Sequence, residues 1–180
     1  MRATLTAVIL LIAVAGCGGK KTTGPRENLR PYRPYLVPAT PKSVLYNMQI
    51  AYSNRDSIAY KSLFDSLYAG LSTDQSDGSM LNFTKADEAQ HVAALARSRS
   101  ITMCSITFPP SLQWFTDSGD PAGWATIQIY PVVIQIDDNP TSMTTGPNET
   151  MEFKFVPTTP AAGSPTDTTW KIIRWSETNH

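Results

Sequence analysis

The chain has 180 residues and a formal net charge of zero that hides an uneven split. Residues 20–33 carry Lys20, Lys21, Arg26, Arg30 and Arg33 against Glu27, whereas Thr40 to His180 holds nine Lys or Arg against fourteen Asp or Glu, a balance that disfavours nucleic acid as a partner of the folded part. About 140 residues beyond the basic stretch suffice for one domain that buries roughly two thirds of its unfolded surface, and two cysteines exclude a disulfide-rich scaffold.

The first predicted element is an export segment at residues 1–16. Met1 and Arg2 precede an apolar run from Leu5 to Val14, followed by the small residues Ala15 and Gly16. That run is far shorter than the roughly 20 residues a membrane-spanning helix needs. Val14-Ala15-Gly16-Cys17 resembles a lipobox, with an aliphatic residue three before the cysteine and small residues between. The resemblance implies cleavage before Cys17, acylation of its thiol and new amino group with fatty chains such as palmitate, and membrane lipid as a partner. Each buried methylene adds about 0.8 kcal/mol, so several chains make the anchor effectively permanent. Gly18, where an aspartate would favour inner-membrane retention, implies the outer membrane in a host that has one. A lipidated Cys17 leaves Cys104 no intramolecular partner, and Cys104 is expected as a small buried residue in a strand.

Residues 17–39 contain Pro25, Pro31, Pro34 and Pro38 among Gly, Thr and basic residues, without helical or strand period, and read as a tether. The domain, residues 40–180, opens with Thr40 as N-cap and Pro41 at the first helical position, followed by Val44, Leu45, Met48, Ala51 and Tyr52 on one helical face. Asp56 is placed to cap a second helix with Tyr60, Leu63, Phe64 and Leu67 as its apolar face, the two forming a hairpin. Residues 72–79 have loop chemistry. Thr84 with Asp87 three residues on opens a third helix, whose small-residue face is Ala89, Val92, Ala93 and Ala96.

From Ser100 the period shortens to two. Ile101 to Phe108 is a strand whose parity slips near Cys104; Trp124 to Ile136 reads as one long strand bent at Pro131; Met151, Phe153 and Phe155 alternate with Glu152 and Lys154; Trp170 to Trp175 closes the set. Helices first and strands second predict an α+β fold: three N-terminal helices over the concave face of a curved antiparallel sheet of about four strands, run as a meander.

Thr40-Pro41 with Val44-Leu45, Ala51-Tyr52 followed by Arg55-Asp56 and Tyr60, Phe83-Thr84, and Trp170-Lys171-Ile172-Ile173-Arg174-Trp175 resemble the nuclear transport factor 2-like superfamily, the SnoaL-like or cystatin-like cone, over about residues 40–177. Within it the likeness is to bacterial lipoproteins that carry this domain after a proline-bearing tether. The resemblance implies a cone-shaped α+β fold and says little about activity, since one fold hosts dehydratases, isomerases and binding modules.

The chemical inventory is sparse. His91 and His180 stand apart with no carboxylate or cysteine at ligand spacing, so neither a metal nor another cofactor is expected. No Gly-x-Ser-x-Gly elbow or phosphate-binding glycine loop occurs in the folded part. Asp56 is explained by capping, Asp65 by a helix surface and Asp137-Asp138 by a hairpin loop, leaving no acidic residue with an evident catalytic placement. Tyr52, Tyr60, Phe64, Met103, Trp114, Trp124 and Trp170 are the candidate lining of a cone cavity, although core packing accounts for the same set. Two readings follow: a non-catalytic, lipid-anchored envelope module that binds a small apolar ligand or an envelope protein, or a lipid-anchored dehydratase- or isomerase-like enzyme, which needs an ionisable group buried in the cone.

Overall fold

The computed structural model describes residues 33–74, 76–145, 149–158 and 168–179. The export segment, Cys17 and the tether as far as residue 32 lie outside the described residues. Residues from Tyr35 onward form one compact unit.

Its elements are α1 (Pro41–Asn54), α2 (Ser57–Ser62), β1 (Phe64–Asp74), β2 (Met80–Thr84), α3 (Lys85–Arg97), β3 (Ile101–Thr107), β4 (Ala125–Ile129), β5 (Val133–Asp138), β6 (Thr141–Thr144), β7 (Thr150–Thr158) and β8 (Thr169–Asn179). The caps are those the sequence announces. The Thr40 hydroxyl accepts from the Ser43 amide and Ser43 bonds back, Asp56 accepts from the Ala59 amide at 2.9 Å, and Thr84 with Asp87 closes a reciprocal box over α3. Arg55, in the left-handed region at φ 55°, turns the chain from α1 into α2.

The strands correct the predicted meander. Five of them form one sheet in the order β2-β1-β8-β7-β4, and β3-β5-β6 form a second. The main sheet is mixed, because β1 runs parallel to β8. The second helix stops at Ser62, so Phe64 and Leu67 belong to β1 and not to a helical face, and Asp65 lies on that strand. The stretch from Trp124 to Ile136 is two strands in different sheets, β4 pairing with β7 and β5 with β3, separated at Pro131. The slip expected near Cys104 lies between Ile101 and Met103 of β3. The expected 137–149 loop contains β6, which pairs with β5.

The core gathers Val44, Leu45 and Met48 of α1, Tyr60 of α2, Phe64 of β1, Val92 of α3, and the inner rows of β4, β7 and β8, including Ile127, Phe153, Phe155 and Ile172. Outside the sheet, residues 109–124 return across β4 through paired backbone bonds between Phe115 and Thr126. Asp117 and Asp120 hold that segment to Lys154 of β7 at 3.1 and 2.7 Å. Before α1 the chain is strapped down: the buried Asn47 side chain accepts from the Leu36 amide and donates to its carbonyl, both at 2.8 Å, while the Trp170 amide donates to Pro38. Among the described residues no helix is long and apolar enough to cross a membrane.

Candidate functional site

Three rungs across β1, β8 and β7 organise the inner face of the main sheet. Phe64, Ile172 and Phe155 are in register at one level, Gly70, Trp175 and Phe153 at the next, and Ser72, Glu177 and Met151 at the third. The rungs therefore grade from wholly apolar to ionisable along the strands. Gly70 is needed where it stands, since a Cβ there would lie 2.5 Å from the Tyr68 hydroxyl, which lies over the glycine on its way to α3.

That hydroxyl donates to Glu88 at 2.8 Å. Glu88 lies on the inner stripe of α3 with Val92 and Leu95, all buried. Burial pushes its carboxyl up to about 7, with the hydroxyl of Tyr68 opposing the shift and the neighbouring charges of Glu177 and Asp87 adding to it. One turn along α3, His91 Nε2 sits 3.2 Å from the Tyr52 hydroxyl, and the two rings stack with centroids 5.9 Å apart. Burial lowers the imidazole's proton affinity, so His91 is neutral near pH 7. Aromatic contacts complete the circuit: Tyr52 meets Tyr60, Tyr60 meets Phe64, and Phe64 meets Tyr68 edge-on at 4.6 Å. Burial raises the phenol pKa of Tyr52, Tyr60 and Tyr68 well above the ordinary value, which keeps all three as neutral donors.

At the third rung, burial also raises the Glu177 carboxyl against a hydrogen bond from Ser72, and Glu149 adds to the rise. Trp175, stacked on Phe153 at 5.1 Å, has a buried indole Nε1 that lacks an acceptor among the described residues. A buried N–H without a partner costs about 1–3 kcal/mol, so it marks a place where an acceptor would be favoured.

The predicted lining residues are dispersed. Tyr52, Tyr60 and Phe64 meet in the circuit just described. Trp170 lines a different groove of about 230 Å³ between the 35–38 strap, α2 and the start of β8. Met103 and Trp124 are half-buried on β3 and just before β4, and Trp114 is 51% exposed in the 109–124 segment. A second groove, of about 430 Å³, lies between Tyr46 and Gln49 of α1 and residues 108–112. Neither groove is lined by Glu88, His91 or Glu177. Cys104 is fully buried, its thiol 3.1 Å from the Tyr52 carbonyl.

The sequence reading missed Glu88, Glu177 and Tyr68. The signal for Glu88 was present: a stripe through Val92 and Leu95 at helical spacing passes through position 88, but the alanines at 89, 93 and 96 suggested a face rotated by one residue.

No protein-family model matches the chain, and no curated protein matches it in sequence. Solved structures do match in shape. The chain is similar to ActVI-ORFA from Streptomyces coelicolor, at 16% identity over 76% of this chain and 92% of that one, with a TM-score of 0.51. It is likewise similar to Aln2 from a Streptomyces species, at 10% identity over 76% and 85%, also with a TM-score of 0.51. An NTF2-like protein with a cystatin-like fold from Novosphingobium aromaticivorans aligns over 75% and 76% at 13% identity, with a TM-score of 0.47. The chain thus shares an α+β fold with ActVI-ORFA and Aln2, built on a mixed five-stranded main sheet.

Proposed function

We propose that this protein is an envelope lipoprotein, held by acylated Cys17, whose cone binds a small ligand with an apolar body and a hydrogen-bond-accepting group. The observation that carries this reading is the buried indole N–H of Trp175, unpaired on the middle rung between an apolar floor and the carboxyls of Glu88 and Glu177. Such a gradient orients an amphipathic guest, with its apolar end toward Phe64 and Ile172 and its polar end toward Glu177. Native mass spectrometry of protein extracted from its own host should find a retained small molecule, lost in Trp175→Phe. An unliganded mass in wild type, with added apolar carbonyl compounds also failing to raise the Tm, would overturn the reading. The anchor has its own test. A clickable fatty acid should label the wild type and not Cys17→Ser, and equal labelling or none would remove it.

A second reading rests on the Glu88 carboxyl, held up to about 7 beside two phenols. A carboxyl near neutrality can give or take a proton at working pH, which is what isomerases and dehydratases require. Its test is exchange of α-protons into D₂O from a panel of apolar carbonyl compounds, followed by NMR. Exchange that Glu88→Gln abolishes supports the reading, and the absence of exchange across the panel rejects it.

A further inference from the structure

We propose that the face around the start of β1, beside the point where the tether joins the domain, docks on an anionic lipid bilayer. Four cations converge there. Lys171 precedes Ile172, which pairs with Phe64; Lys85 Nζ bonds the Phe64 carbonyl; Arg174 donates to the Leu67 carbonyl at 3.0 Å; and Lys61 is two residues before Leu63, whose carbonyl accepts from Ile172. Partial burial, then the charges of Lys171 and Lys61, lower the proton affinity of Lys85, and Asp65 opposes them. This concentration stands out on a domain with an excess of acidic residues.

Two apolar side chains on the elements that carry or bond these cations are exposed, Ile58 of α2 at 84% and Leu67 of β1 at 76%. Ile58 and Lys61 are three residues apart on α2 and so point the same way. Two acids lie nearby and both are engaged: Asp65 accepts from the Leu67 amide at 2.9 Å, and Asp56 caps α2 while accepting from the Tyr35 hydroxyl at 3.0 Å.

The chain's own course favours a bilayer over other anionic partners. The strap that ends the tether is bonded to this face through Tyr35 and Asp56, and through Pro38 and Trp170. Cationic side chains beside exposed aliphatic ones match a surface with anionic headgroups over hydrocarbon. Docking would also set the direction of the cone. From Lys171 at this face to Glu177 at the ionisable rung, β8 covers roughly 20 Å at about 3.3 Å per residue, so the polar end of the cone would face away from the membrane. The preference for a bilayer over other anionic partners rests in part on the lipid-anchor reading, while the charge of the face, its exposed aliphatic residues and the orientation that follows from docking do not.

Cosedimentation of the mature chain, residues 17–180 with Cys17→Ser, with vesicles of 30% phosphatidylglycerol in phosphatidylcholine tests the proposal. The tether's own basic residues bind in every variant, so the comparison is between domain faces. Neutralising Lys61, Lys171 and Arg174 to Gln should weaken partitioning about a hundredfold, at roughly fivefold per cation. Ile58→Ser should weaken it further, and far-UV circular dichroism should be unchanged in each. Wild-type binding by both variants would overturn the proposal. So would loss on neutralisation with no effect of Ile58→Ser and equal binding to soluble polyglutamate, which would indicate a polyanion site. Missing acyl mass on Cys17 in host-derived protein would sink the anchor while leaving the vesicle result standing.

Discussion

Replacing Glu88 by Gln should make the protein relatively more stable as pH rises. The wild-type carboxyl is raised from 4.5 to about 7 in the fold, chiefly by burial. Between those values the native state holds a proton that the unfolded chain has released. The stability contributed by this group is therefore complete below about pH 4.5 and is lost as pH climbs through about 7. Each tenfold in proton affinity is worth about 1.4 kcal/mol, so the full loss is roughly 3 kcal/mol, most of it between pH 5 and 8. A glutamine has no proton to lose and its carbonyl can still accept from Tyr68. His91 works in the opposite sense, since its lowered pKa means that its stability contribution is lost as pH falls below its ordinary 6.5. Subtracting wild type from variant cancels His91 and most of Glu177. Urea unfolding followed by far-UV circular dichroism at pH 5, 6, 7 and 8 should show Glu88→Gln gaining about 2–3 kcal/mol on wild type across the series. A gap that stays constant within about 0.5 kcal/mol would refute the reasoning, because it would mean that Glu88 is solvated or paired with a cation.

Gly70→Ala should cost about 1–3 kcal/mol, because the new methyl meets the Tyr68 hydroxyl at 2.5 Å and the ring must leave Glu88. The same substitution should raise the Glu88 pKa further, because the Tyr68 bond that opposes the shift is lost, as read by carboxyl infrared or NMR titration, and an unchanged Tm would exclude the close approach. Asn47→Ala removes both bonds to Leu36 and should release the strap at a cost of about 2 kcal/mol. Hydrogen exchange should show the Leu36 and Trp170 amides losing protection while the α3 amides keep theirs, and uniform protection would contradict a locally held strap.

The helices were legible because their ends carry chemistry. Thr40, Asp56 and Thr84 each have a side-chain oxygen that satisfies a first-turn amide, and each stands at the spacing before its helix that capping requires. The strands from β7 onward were legible for a related reason: Phe153 and Phe155 alternate with Glu152 and Lys154 across a sheet with one dry face. β1 was not. Its apolar residues at 64, 67, 68 and 71 imitate helical spacing, whereas the strand is irregular between Phe64 and Ala69, and its true inner positions are Tyr68, Gly70 and Ser72. Two of those are small or polar because a tyrosine lies along one and a glutamate pairs with the other, so the dry-face signal vanishes where the site is built. Pro131 showed where the chain bends, but not that the two halves enter different sheets, since pairing partners are set by residues distant in sequence.

The candidate site was hidden by the feature that makes it a site. A core position is recognised by an apolar residue in the right phase, and positions 88, 175 and 177 break that rule on the inward faces of α3 and β8. Each exception has a cost: a carboxyl shifted by desolvation, an indole N–H without an acceptor, and a second carboxyl near the first. Structural buried polar groups usually arrive with complete partners, as Asn47 does with both bonds to Leu36. The Trp175 donor has no acceptor among the described residues. Trp175 and Glu177 stand on adjoining rungs and Glu88 of α3 is near enough to feel the charge of Glu177, so the three costs are neighbours. A core selected for stability alone would carry aliphatic residues there; the proposed ligand site gives them a reason.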